Sequence, residues 1–209
     1  MDLTTRPQPR STALIQGRAE TIRLALHCSG IPFTDERLTG EQFAERKESL
    51  PLGQVPVLTV DDQVIPQEVA ILQYIGRQSG LYPLDREEAL KVDIMINVSD
   101  DIYAAMMAFY MPDNPGKEIM TKMVVEEKLP KIFGYFERHL AKCGTSFCAG
   151  DKISIADIRF YCILYTIKSG IHAGLPTNLT DKYPHISKLY QAIDTHEKVA
   201  SWNQKSQAK

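Results

Sequence analysis

Gly53-Gln54-Val55-Pro56-Val57-Leu58-Thr59-Val60 decides how the chain is built, because Asp61-Asp62, Val64-Ile65 and a helical run from Gln67 follow it directly. Pro51-Leu52-Gly53 is a turn signal, and Gln54 to Val60 is β-branched and apolar, so it predicts a strand. Asp61-Asp62 makes the next turn and Val64-Ile65 the returning strand. A helix then starts near Gln67 and carries Ala70, Ile71, Tyr74 and Ile75 on its faces. Pro56 sits inside the first of these runs, although proline removes a ladder hydrogen bond. It marks either the start of the strand, where a cis bond turns the backbone toward a ligand, or an ordinary edge strand.

Upstream, Gly17 opens a helix over Ala19-Glu20-Thr21-Ile22-Arg23-Leu24-Ala25-Leu26-His27-Cys28, and Gly30 stops it. Phe33 to Leu38 predicts a short strand. Before Gly17, Arg6-Pro7-Gln8-Pro9-Arg10 suits neither a central strand nor its pairing. The first strand is therefore expected to be short, over Thr12 to Ile15, or displaced.

Downstream the character changes near residue 80. Ser79 to Arg86 contains Gly80, Pro83 and charged residues and reads as a linker. Helices follow from Glu87 through Met107, from Pro115 to Lys142, from Ser154 and from His185 to His196. Ser154 and Asp157 form a capping-box-like pair, with Ile153 and Ile158 placed as a hydrophobic staple. The fold class is thus an α/β half over 1–79, a linker over 80–86 and an all-α half over 87–209.

The 209 residues carry a net charge of -2, with 44% hydrophobic and 24% charged residues. This is ordinary globular composition and makes no electrostatic case for a nucleic-acid or membrane-surface partner. No stretch reaches the apolar length of a membrane helix. The four cysteines and five histidines have no metal-ligand spacing, so no metal is expected. Met1 to Ile15 lacks the apolar core of a secretory signal, and a cytoplasmic protein fits all of this. Asn178-Leu179-Thr180 matches a glycosylation acceptor and is read as chance in that setting.

Gly17-Arg18-Ala19-Glu20, Gly53-Gln54-Val55-Pro56-Val57-Leu58, Gln67 followed by Ala70-Ile71 and Tyr74, and the Ser154–Asp157 cap stand in order. Together they resemble the cytosolic glutathione transferases, most of all the sigma and mu-like branch. The resemblance implies a thioredoxin-like domain that binds glutathione and a helical domain with an apolar pocket for a hydrophobic electrophile. It also implies a homodimer. Carried over by position, Arg18, Phe43, Lys47, Gln54, Val55, Pro56, Gln67, Glu68 and Asp101 lie at or near the glutathione site. Asp101 would reach across the dimer interface.

These residue types suit the ligand. Glutathione is a peptide with two carboxylates, one ammonium and a thiol, and its backbone can pair with the strand carrying Val55. Lys47 and Arg18 can neutralise carboxylates, the helix from Gln67 offers backbone N–H groups to an anion, and Asp101 can accept from the ammonium. Each has a plainer alternative. Arg18 can pack its stem, Lys47 can be a solvated surface residue, and Asp100 and Asp101 can be the polar face of a long helix.

Three positions depart from the family. The branch places a tyrosine where Thr12 stands, preceded by Ser11. One of these hydroxyls would have to stabilise the glutathione thiolate, since a free thiol titrates at about 8.5. Its oxygen sits closer to the backbone than a tyrosine's would, and the alternative is that both are ordinary strand residues. Glu68 stands where the family has serine, which places an anion where the family binds one. Two like charges about 4 Å apart repel by roughly 4 kcal/mol near a protein surface. Phe43 stands where the sigma branch often has tryptophan, so an indole donor is lost.

Two functions therefore remain. One is a transferase that conjugates glutathione to hydrophobic electrophiles. The other is a catalytically weakened ligand-binding or structural protein of the same fold. Met106, Met107, Phe109 and Tyr110 either line the electrophile pocket or belong to the core. A thiol-disulfide oxidoreductase would need a cysteine at the start of the first helix, whereas Cys28 lies near its far end.

Overall fold

Gly17 and Gly30 bracket the first helix as the sequence predicts. The structure, a computed structural model, describes residues 5–8 and 17–207. Helix α1 (Arg18–Ser29) has Gly17 at its N-cap, and Gly30 ends it in the left-handed region at φ 69°. There Gly30 N–H bonds back to the last turn, and a side chain would strain this backbone.

A small antiparallel sheet is built from β1 (Thr5–Gln8), β2 (Val57–Val60) and β3 (Gln63–Pro66), in that spatial order. The proline-containing segment, expected to suit no pairing, is itself paired here, with Pro7 opposite Leu58. Among the described strands β1 lies at an edge of the sheet, where a residue without an N–H is tolerated. The alternative site for this strand, Thr12 to Ile15, lies outside the described residues. β2 buries Val57, Leu58 and Val60. Helix α3 (Glu68–Ser79) follows β3 and packs on α1 through a face that includes Ile71, Leu72 and Ile75.

Phe33 to Leu38 is not a strand: only Phe33 and Leu38 make isolated bridges. The residues between them are polar, and Asp35 accepts from Arg23 Nε at 2.9 Å and from Arg37 Nε at 2.8 Å. Side-chain ion pairs fix this segment in place of a ladder. Helix α2 (Gly40–Arg46) is an element beyond those expected, and Thr39 and Gln42 start it as a full capping box.

The chain packs as two units. One holds the described residues up to Tyr82 together with those from His196 onward, and the other spans Pro83–Thr195. The late return comes from α9 (Glu197–Gln207), which packs on α1. Trp202 Nε1 donates to Glu20 Oε1 at 2.6 Å, and its ring lies 5.2 Å from that of His27.

The second unit is helical: α4 (Arg86–Met106), α5 (Pro115–Met123), α6 (Leu129–Cys143), α7 (Ile155–Lys168) and α8 (Pro184–Asp194). Helix α7 is apolar on nearly every side and is correspondingly buried at its centre. Phe136 of α6 and Phe160 of α7 stack with ring centroids 3.8 Å apart and planes 7° from parallel. Asp157 caps α7 as the sequence predicts. Its carboxylate accepts from Ser154 N and Ser154 Oγ, at 2.8 and 2.6 Å, and from Cys148 N at 2.8 Å.

The single helix expected over Pro115 to Lys142 is interrupted by a π-type turn at Val124–Lys128. Pro130 has no N–H for the ordinary bond four residues back, and Leu129 N–H reaches Val124 O instead.

Candidate functional site

In the first unit, the register of the hairpin does the positioning. Val57 pairs with Pro66, so Pro56 and Gln67 leave the ladder side by side. The Val55–Pro56 peptide is cis. Val55 is half-buried, lies outside the strands and makes no backbone hydrogen bond among the described residues. Gln67, exposed, has φ 70° and ψ 113°, a left-handed backbone that a residue with a Cβ rarely adopts. Such conformations cost about 1–3 kcal/mol and cluster at ligand sites.

Glu68 opens α3 and is 2% exposed. Its Oε2 lies 4.0 Å from Nε of Arg18, the first residue of α1, whose side chain is 47% exposed. The heads of two helices thus meet through an ion pair, and the acid also complements the α3 dipole. The Lys47 stem lies against Gly53: a Cβ on that glycine would sit 3.6 Å from Lys47 Cγ. Gln54, the next residue, is exposed, and Phe43 is half-buried on α2.

Of the residues named from the sequence, the fold therefore gathers two groups in this unit. Val55, Pro56, Gln67, Glu68 and Arg18 stand around the hairpin exit, and Lys47 packs against Gly53, next to Gln54 in sequence. Ser11 and Thr12 lie outside the described residues. Asp101 belongs to the second unit and is exposed on α4.

In that unit Asp100 is more than a polar face. Its Oδ1 accepts at 2.6 Å from Nη2 of Arg159, which is fully buried. Arg159 Nη1 also donates to Ile96 O, and its guanidinium lies 5.0 Å from the centre of the Tyr103 ring. Sequence reasoning missed this arginine because it sits inside an apolar helical run with no partner nearby in sequence. Met106 and Phe109 are buried core, whereas Met107 and Tyr110 are exposed and line a cavity. Tyr110 Oη lies 3.4 Å from His172 Nε2. Burial pushes the Tyr110 phenol up and the His172 imidazole down, so both stay neutral near pH 7.

Burial pushes the Cys28 thiol up to about 11, with Lys198 partly opposing, so it remains a thiol at neutral pH. Among the described residues no cluster of His, Cys, Asp and Glu can hold a metal ion, and no helix is long and apolar enough to cross a membrane.

Comparison with known proteins identifies two matched stretches of the chain. Residues 14–77 match the family of the glutathione S-transferase N-terminal domain, and residues 100–206 match that of the glutathione S-transferase C-terminal domain. The chain is 32% identical over 148 residues to glutathione S-transferase 1 of Ascaris suum, covering 69% of this chain and 72% of the relative. It is 25% identical over 204 residues to S-crystallin 4 of Enteroctopus dofleini, covering 91% and 92%. The structure of prostaglandin synthase D of Nilaparvata lugens superposes with a TM-score of 0.86 at 29% identity, covering 97% and 98% of the two chains.

Proposed function

The chain belongs to the glutathione S-transferase family, and we propose that it binds glutathione in its first unit and conjugates the thiolate to hydrophobic electrophiles. The observation that carries this reading is the Val57–Pro66 register, which sets Val55, whose backbone has no partner among the described residues, beside Gln67 at the head of α3. An extended tripeptide can add to Val55 as a short strand, as in other cases of strand addition. Lys47 and Arg18 supply cations for its two carboxylates, Gln54 and Gln67 supply amides, and Pro56 and Phe43 supply apolar contact. Asp101 takes the ammonium, reaching from a partner subunit in a homodimer. Ser11 or Thr12 donates to the sulfur. Each unit by which the thiol pKa falls corresponds to about 1.4 kcal/mol of preference for the thiolate. The free-thiol chemistry of Cys28 and of glutathione itself suits a reducing compartment such as the cytoplasm.

A second reading, a ligand-binding or structural member with weakened catalysis, is favoured by Glu68. That carboxylate is buried at the head of α3, where an anionic end of glutathione would otherwise sit. Calorimetric titration of glutathione into the wild type and Glu68→Ser separates the two, with conjugation of an activated halo-nitroaromatic electrophile as the activity readout. Micromolar-to-millimolar binding and turnover by the wild type support the transferase. Binding that appears only in Glu68→Ser leaves the second reading.

A further inference from the structure

Arg18 and Glu68 bring two opposite charges to the Gln67 end of the hairpin exit, whereas Lys47, packed against Gly53, brings a single cation just before Val55. The two ends of glutathione differ in the same way. Its glycine end carries one carboxylate, and its γ-glutamyl end carries a carboxylate and an ammonium. A peptide added along Val55 runs from one group of charges to the other. The lone cation suits the glycine carboxylate, which leaves the γ-glutamyl end for Arg18 and Glu68.

Of that pair, the anion is the fixed partner. The Glu68 side chain is 1% exposed and has no solvent to turn into, while that of Arg18 is 47% exposed and keeps one side in water. Burial also strengthens the field of Glu68, because little water screens it. An ammonium entering this end is attracted by Glu68. A carboxylate entering it is repelled, competes with Glu68 for Arg18, and meets a helix dipole that Glu68 already complements.

We propose that Glu68 determines specificity at this site: it favours a thiol peptide whose N-terminal acyl group carries an ammonium and no carboxylate over glutathione itself. The inference rests on the reading that a glutathione-like peptide adds to Val55. Selectivity of this kind is a difference between two affinities, set by one repulsive contact that only one of the ligands makes.

Titration calorimetry on the full chain with three reduced peptides tests this. They are glutathione, γ-aminobutanoyl-cysteinyl-glycine, which lacks only the γ-glutamyl carboxylate, and glutaryl-cysteinyl-glycine, which lacks only the ammonium. The wild type is expected to bind the aminobutanoyl peptide about tenfold or more tighter than glutathione, and the glutaryl peptide most weakly. Glu68→Gln, close in shape, and Glu68→Ser should each bring glutathione level with the aminobutanoyl peptide or ahead of it. The wild-type comparison needs no variant, so a variant that fails to fold leaves the test standing. Glutathione or the glutaryl peptide binding the wild type as tightly as the aminobutanoyl peptide overturns the inference alone, because addition at Val55 is then intact. A preference that both variants keep overturns it as well. No binding of any of the three by the folded wild type overturns it together with the glutathione reading.

Discussion

Arg18 Nε lies 4.0 Å from Glu68 Oε2, so the first residues of α1 and α3 are joined by an ion pair with one end buried and the other half in solvent. The pair softens the repulsion that Glu68 would exert on a bound carboxylate, but it also engages a cation that the proposed ligand would use. Glu68→Ser is therefore expected to tighten glutathione binding about tenfold or more, since one like-charge contact of roughly 4 kcal/mol before screening is removed. The same change should lower stability by about 1 kcal/mol through loss of the pair and of the helix-dipole partner. Titration calorimetry and thermal melts read the two effects separately, and unchanged affinity would clear Glu68 of any role at the ligand.

Arg159 is fully buried, and Asp100 is its carboxylate partner at 2.6 Å. Removing one partner of a fully buried pair costs about 3–5 kcal/mol, and the Asp100 side chain is 44% exposed, so Asp100→Ala is expected to cost about 2 kcal/mol. Arg159→Ala should cost more, because the bond to Ile96 O and the packing on Tyr103 go with it. Denaturant unfolding of both variants and of the double variant gives the coupling, and additive losses would show that the pair does not act as one.

Trp202 is the only tryptophan in the chain, and its indole N–H donates to the buried Glu20. Trp202→Phe keeps an aromatic ring beside His27 but leaves that carboxylate oxygen without its donor, at about 1–3 kcal/mol. In the wild type, intrinsic fluorescence should follow the release of α9 from α1. If the emission changes long before the helical signal is lost, α9 comes away first. A single shared transition would instead tie α9 to the cooperative core.

Glu137 fastens α6 to the start of α8, accepting from His185 Nδ1 at 2.7 Å and from the backbone N–H groups of His185 and Ile186 at 3.1 Å. Burial acts to raise its carboxyl, but these bonds outweigh it and hold it below the ordinary value of 4.5. A lowered folded value means that stability is fully present above the unfolded value and is lost as pH falls through the folded one. The difference in melting temperature between wild type and Glu137→Gln should therefore be largest near pH 7 and shrink below about pH 4.5. A difference independent of pH would assign the contribution to packing.

Much of this was legible in the residues. Gly17 and Gly30 mark the ends of α1, Ser154 and Asp157 mark the start of α7, and the turn residues around Val57 to Ile65 mark the hairpin. Each of these is a local signal, set by backbone freedom or by a side chain that satisfies the N–H groups of its own helix. The family resemblance rests on the same local features and is upheld by the matches to both domains. Other features depend on groups far apart in the chain. The segment Phe33 to Leu38 is read as a strand, yet its interior is polar, Arg23 and Arg37 hold Asp35, and only Phe33 and Leu38 make bridges. Asp100 looks like a solvated helix face until Arg159, 59 residues later, is brought against it. Glu68 reads from the sequence as an anion set where the family binds one, and only the packing of α1 on α3 shows that it is buried and paired with Arg18. Local chemistry set where elements begin and end; the burial and pairing of charges was decided by tertiary structure, because the cost of taking a charge out of water depends on what surrounds it in space.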